Sequence, residues 1–226
     1  MAAMSLAAQE PGNSVSLDKE AALGRQLAAE FERRTTAIHG SRVEDYLKRL
    51  GQRIAAQIPD AKFAFTFKVI ADDPCRATRE PAAMPGGYIF VPAALFISAD
   101  DEAKFAGMLA HSMEHVALRH GTRAVKQVQI GNSGTIPLIF MGGWMGGWMG
   151  GWSRSCSDAA LVPVGFLAVQ REYELEADAA AAAAIARAGF DPGGVAGAPP
   201  QGYQVTSSEF IAVQQEVRGM ISKAPQ

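Results

Sequence analysis

Cysteine is scarce: Cys75 and Cys156 are the only two, and no Cys-x-x-Cys or mixed Cys/His spacing occurs. Two thiols allow one bridge at most, which excludes a disulfide-stapled framework. An excess of charge of one sign is also lacking. Twenty-one Lys and Arg stand against 23 Asp and Glu, a formal charge of -2. Nothing in that balance recruits nucleic acid or an anionic membrane. The N-terminus has no basic n-region, and Met1 to Gln9 is too short for a full signal peptide. Ser5-Leu6-Ala7-Ala8 still has the small-residue character of a signal's end. Two readings stand: a clipped export signal, with a periplasmic or secreted protein, or a plain tail, with a cytoplasmic or membrane-associated one. An apolar run free of glycine long enough to span a bilayer is missing as well. Residues 127–153 carry no charge but include three Met-Gly-Gly-Trp units ending at Trp144, Trp148 and Trp152. Their length would reach across a bilayer, yet the glycines deny them a stable helix. A mobile apolar flap, or contact of the tryptophans with a membrane surface, fits better.

What is present is the composition of a packed globular chain. Of 226 residues, 48% are hydrophobic and 19% charged. That length suits one domain, or one domain plus an appendage. Leu23, Leu27 and Phe31 recur every fourth residue and predict a helix from Leu17. Val43, Tyr46, Leu47, Leu50, Ile54 and Ile58 form the stripe of a second helix, Arg42 to Ile58. Phe63, Phe65, Phe67 and Val69 alternate with less apolar neighbours, which is the period of a strand. Residues 72–85 read as a proline-rich loop, and Tyr88 to Val91 as a second short strand. A long helix is expected from Ser98 to His120, with Ser98 and Asp101 as its capping pair and Gly121 as its stop. Another runs from Phe166 to Ala188, closed by Gly189 and Asp191-Pro192. Ser208 to Ser222 could form one more short helix. The expected organisation is a tail at 1–16, a domain at 17–192 interrupted by the apolar insertion at 127–165, and a short C-terminal tail at 193–226.

The chemistry sits on the two long helices. His111 and His115 are four residues apart, so both imidazoles share one helix face and can reach one tetrahedral ion. A catalytic zinc site takes a third protein ligand and leaves the fourth position to water. Glu174 is the leading candidate, with Glu176 in reserve. Asp178 lies one turn beyond Glu174 and suits a hydrogen bond to the free ring N–H of a ligand histidine. A histidine pair at this spacing occurs by chance on many helix surfaces, and acidic residues at this spacing usually face water. The two motifs gain weight by standing on two long helices of one domain. Glu172 and His39 read as solvated. His120 reads as packed or capping, because a five-residue offset on a helix turns it away from His115.

These blocks resemble peptidase family M48, the CAAX-prenyl-protease and HtpX type of zinc endopeptidase. The resemblance runs through Met84-Pro85-Gly86-Gly87-Tyr88-Ile89-Phe90-Val91, Leu109-Ala110-His111, His115-Val116-Ala117-Leu118-Arg119-His120-Gly121, Glu172-Tyr173-Glu174-Leu175-Glu176-Ala177-Asp178 and Gly189-Phe190-Asp191-Pro192. It implies an α+β, mostly helical gluzincin fold with a small sheet bordering the cleft. It implies one Zn2+ per chain on His111, His115 and Glu174, with Asp178 orienting a ligand. It implies protein or peptide substrates, and an edge strand from Gly86 and Gly87 through Tyr88, Ile89 and Phe90 that pairs with extended substrate. Two departures stand out. The family motif is His-Glu-x-x-His, and Ser112 occupies the Glu position. That Glu is the general base, a role a serine hydroxyl cannot fill near neutral pH. Family members also carry a later His-Pro and Arg that stabilise the tetrahedral intermediate, and no histidine follows His120 here. Glu114 makes the motif read His-x-x-Glu-His and is a displaced candidate for the base. The expected function is a metalloendopeptidase of protein quality control with weakened activity. The alternatives are a zinc-binding pseudoprotease that binds a protein partner and a decayed gene product.

Overall fold

A computed structural model describes residues 15–59, 61–71, 80–123, 164–194 and 204–222. The N-terminal tail to residue 14, both cysteines and the tryptophan-bearing segment 124–163 lie outside these residues. So do the readings that rest on them.

Helix α1 (Leu17–Arg34) starts at Ser16, whose hydroxyl accepts from the Lys19 amide. It passes the Pro85-Gly86 turn at Gly24. A Cβ there would lie 1.7 Å from the Pro85 carbonyl oxygen, so only glycine admits this approach. Helix α2 (Ser41–Ala55) buries Val43, Tyr46, Leu47, Leu50 and Ile54, the stripe expected from its period. The sheet holds β1 (Thr66–Ile70), β2 (Ala82–Met84) and β3 (Tyr88–Pro92) in the order β1-β3-β2. β1 runs parallel to β3, with Thr66 opposite Tyr88 and Ile70 opposite Pro92. β2 is antiparallel to β3 through a tight turn at Gly86 and Gly87, both at positive φ (82° and 93°).

The sheet corrects one expectation. The strand starting at Tyr88 is central, with β1 on one side and β2 on the other, so Gly86 to Phe90 present no free edge for substrate. Among the described residues, the edge beside the helix of His111 and His115 belongs to β2, in the stretch read as loop.

Helix α3 (Ala93–Ser98) leads to α4 (Glu102–Ala117). The cap of α4 is Asp101, whose carboxylate accepts from the Lys104 amide at 2.8 Å, and not Ser98, which closes α3. Phe105, Leu109 and Met113 of α4 are fully buried, each contributing about 1.5–3 kcal/mol of hydrophobic stabilisation. A short α5 (His120–Arg123) follows. Helix α6 (Val164–Arg187) lies along α4, and Gly189 at φ 85° ends it as expected. The last helix, α7 (Ser208–Ile221), is more than a tail feature. Its Phe210, Val213 and Val217 are buried in the main core, and the Phe210 ring packs 5.4 Å from Phe105 and 5.9 Å from Tyr46. The architecture is α+β and mostly helical. Among the described residues, no helix is long and apolar enough to cross a membrane.

Candidate metal centre

Two turns decide which side chains meet. Within α4, the four-residue offset puts His111 and His115 on the face toward α6. Within α6, the same offset puts Glu174 and Asp178 on the face toward α4. Burial of small side chains (Ala177, Ala181 and Ala184) lets the two helices run close together.

The three expected ligands converge. His111 Nε2 lies 3.0 Å from His115 Nε2 and 3.2 Å from Glu174 Oε2, and His115 Nε2 lies 3.5 Å from that same oxygen. Tetrahedral zinc with bonds of about 2.0–2.1 Å needs ligand atoms about 3.3–3.4 Å apart. The observed triangle brackets that spacing, so the residues fit the ion that the sequence pattern implied. Glu174 is 35% exposed, against 14% and 13% for the histidines, so the site opens on one side, where a fourth ligand could enter. Asp178 Oδ1 lies 2.9 Å from His111 Nδ1. Acceptance of the Nδ1 proton there leaves the Nε2 lone pair for a metal.

The electrostatics suit a cation. Burial alone would raise the pKa of Glu174, but hydrogen bonds from His111 and His115 and their charge outweigh it and hold the carboxyl well below the usual carboxylate range. Burial pulls His111 down, and Glu174 and Asp178 reverse this, leaving its pKa raised.

A peptidase family M48 model matches residues 41–207. The chain belongs to peptidase family M48. Among its relatives, a protein of Escherichia coli K12 described as a beta-barrel assembly-enhancing protease is 27% identical over 187 residues, which are 80% of this chain and 37% of that protein. A Yersinia pestis protein of the same description is 29% identical over 187 residues, again 80% of this chain and 37% of the relative. The chain thus spans about two fifths of the length of the curated relatives it matches.

Set against the M48 pattern, Ser112 is fully buried and turned into its own helix. Its hydroxyl lies 3.1 Å from the Met108 carbonyl oxygen, with the Pro81 carbonyl at 3.5 Å. A hydroxyl has one proton, and this back-bond to the preceding turn engages it. Glu114 is buried too, on the flank of α4 opposite Ser112, and is not one of the three residues whose ligand atoms converge.

His120 is packed, as expected, but it does not turn away from His115. Arg119 takes a left-handed conformation (φ 57°) that ends α4 and swings His120 back. Its Nδ1 lies 3.0 Å from His115 Nδ1, and its Nε2 lies 3.1 Å from Glu176 Oε2. Burial, then the charge of His115, lowers the pKa of His120 to about 4. Glu176, held in reserve as a ligand, instead joins His120 to Arg123, whose NH1 lies 3.1 and 3.2 Å from its two oxygens. No residue type signals the turn, because arginine is not favoured at positive φ. The one hint in the sequence is a histidine directly beyond the helix end.

Proposed function

We propose that the chain is a zinc-binding M48 domain that engages extended polypeptide in protein quality control and hydrolyses it slowly. The convergence of His111, His115 and Glu174, with Asp178 behind His111, carries this reading. Zinc held there would polarise a peptide carbonyl and acidify water. The protein side chains supply the rest. His111, His115 and Glu174 hold the ion, Asp178 fixes the His111 ring, and the β2 edge beside α4 offers a backbone for an extended segment to pair with. Ser112 supplies no base, and loss of a positioned general base costs about 10²–10⁴ in rate. Glu114, flanking the histidine pair from the other side, is the candidate for residual proton transfer. The relatives' description points to β-barrel assembly, and we extend to this chain the corresponding substrate class, proteins of β-barrel assembly.

A second reading is favoured by the Ser112 hydroxyl, which is hydrogen-bonded within its own helix. In that reading the domain is a pseudoprotease that binds polypeptide and does not cut it.

The test combines zinc content of the purified chain with casein cleavage by wild type, Ser112→Glu and Glu114→Gln. About one zinc per chain, lost in His111→Ala, supports the metal reading, and a zinc-free wild type refutes it. Restored cleavage in Ser112→Glu identifies a peptidase short of its base. Zinc-loaded Ser112→Glu without cleavage identifies the pseudoprotease. Residual wild-type cleavage that disappears in Glu114→Gln assigns the displaced base.

A further inference from the structure

Behind His115 stands a second set of side chains that the metal reading does not use: His120, Glu176, Arg123 and Tyr173. His120 is 4% exposed, and its ring stacks on Tyr173 with centroids 4.4 Å apart and planes 14° from parallel. The left-handed turn that delivers it is clamped by the buried pair of Arg119 with Glu20, 2.6 Å apart. The ring therefore has one orientation, fixed on its face by Tyr173 and at both nitrogens by neighbours.

The proton count in this set has one solution that leaves His115 ready for a metal. The Nδ1 atoms of His115 and His120 face each other at 3.0 Å, so one carries a proton and the other accepts it. If His120 donated, its neutral ring would turn a bare Nε2 toward the Glu176 carboxylate, 3.1 Å away, setting lone pair against lone pair. The proton of His115 would then sit on Nε2, where it blocks the ligand position. If His115 donates, every position is satisfied. Its Nδ1–H points to His120 Nδ1, the Nε2–H of His120 points to Glu176, and Arg123 holds Glu176 from the far side.

We propose that His120 is a positioning residue for the metal. It accepts the Nδ1 proton of His115, with Glu176 and Arg123 fixing its tautomer, and so presents the Nε2 lone pair of His115 to the ion. The two ligand histidines are then supported differently. His111 leans on the half-exposed carboxylate of Asp178, and His115 on a buried imidazole. The proposal rests on the reading of His111, His115 and Glu174 as the metal site.

The test measures zinc affinity of the full chain against a chromophoric chelator, with the visible spectrum of the cobalt(II)-loaded chain as a readout of ligand geometry. His120→Phe keeps the stacked ring and removes the acceptor. It is expected to lower zinc affinity about 10–100-fold and to change the cobalt bands. His120→Asn sets its amide oxygen near the place of Nδ1 and is expected to restore most of the affinity and the wild-type bands. Glu176→Leu removes the acceptor for His120 and is expected to weaken zinc several-fold, which keeps the test open if His120→Phe does not fold. Wild-type affinity in His120→Phe, or in Glu176→Leu where His120→Phe does not fold, overturns the proposal. So does equal loss in the Phe and Asn variants, which would mark a role in packing alone. A wild type without zinc, or His111→Ala with wild-type affinity, instead overturns the metal reading itself.

Discussion

Glu20→Ala is expected to be among the most damaging single changes outside the apolar core. Glu20 is 1% exposed and its partner Arg119 5%. One carboxylate oxygen accepts from Arg119 Nε at 2.7 Å and from Thr122 Oγ1 at 3.0 Å, and lies 2.6 Å from Arg119 NH2. Removal of one member of a buried ion pair costs about 3–5 kcal/mol, because it takes the counter-charge from a desolvated guanidinium. For a chain of this size each kcal/mol lowers the melting temperature by about 2–4 °C, so the expected loss is about 6–20 °C. The assay is urea unfolding of the chain in chelator, which separates the pair from any metal effect. The double variant Glu20→Met with Arg119→Met should recover much of the loss, since an apolar pair of similar volume often replaces a buried ion pair without penalty. Lys68 with Glu32, 2.6 Å apart but 52% and 40% exposed, is the internal contrast, and Lys68→Ala should cost about 1 kcal/mol or less. A Glu20→Ala loss below about 1 kcal/mol, or a double variant no better than the single one, would refute the reasoning.

Three further outcomes are expected. Free zinc at about 100 times its dissociation constant should stabilise the wild type by about 2.7 kcal/mol, or about 5–11 °C in a thermal melt, and His111→Ala should abolish the shift; a wild-type melt indifferent to zinc and chelator would count against the metal site. Gly24→Ala should lower the urea midpoint sharply, with a cost of at least about 1–3 kcal/mol, because the new Cβ meets the Pro85 carbonyl and not a yielding side chain; an unchanged midpoint would contradict the close approach of α1 to the Pro85 carbonyl. Tyr46→Phe removes a buried 2.8 Å hydrogen bond to the Glu102 carboxylate and should cost about 1.5–3 kcal/mol near neutral pH. Burial first, and the Glu102 charge second, raise the pKa of the Tyr46 hydroxyl above its usual value of about 10. The stabilisation is therefore fully present below pH 10 and lost as pH rises beyond it. Wild type should lose stability more steeply than Tyr46→Phe above about pH 10, and parallel profiles would contradict the assignment.

The readable parts of this chain are those whose physics is local and periodic. The stripe of α2 needed only its spacing, and so did the ligand pair on α4 and the acidic pair on α6. β2 escaped because Ala82, Ala83 and Met84 are all buried, and a three-residue strand with no exposed alternate position has no period to read. That omission also misassigned the edge, since whether β3 is central depends on a neighbour that the pattern hid. α3 escaped because its six residues, Ala93 to Ser98, are too few to show a helical period, and Ser98, which closes it, suits a cap as well as Asp101 does. His120 went wrong for another reason. A helix continued through Arg119 carries it away from His115, and the positive φ that turns it back is held by Glu20, a residue 99 positions distant.

The pattern of intact and altered residues bears on what a metal would do here. The candidate ligands His111, His115 and Glu174, with Asp178 and the set behind His115, are in place, while Ser112, which supplies no base, stands where the family motif has its Glu. Those groups all join α4 and α5 to α6, across residues 124–163 of the sequence. Holding two parts of one chain together carries an entropic cost that grows slowly with the number of residues between them, and a metal clip between the two parts offsets it. Zinc bound at His111, His115 and Glu174 would therefore stabilise the helix pair whether or not a peptide is cut. The consequence separates the two roles: the metal should raise the melting temperature of wild type and Ser112→Glu alike, and only the second should gain cleavage.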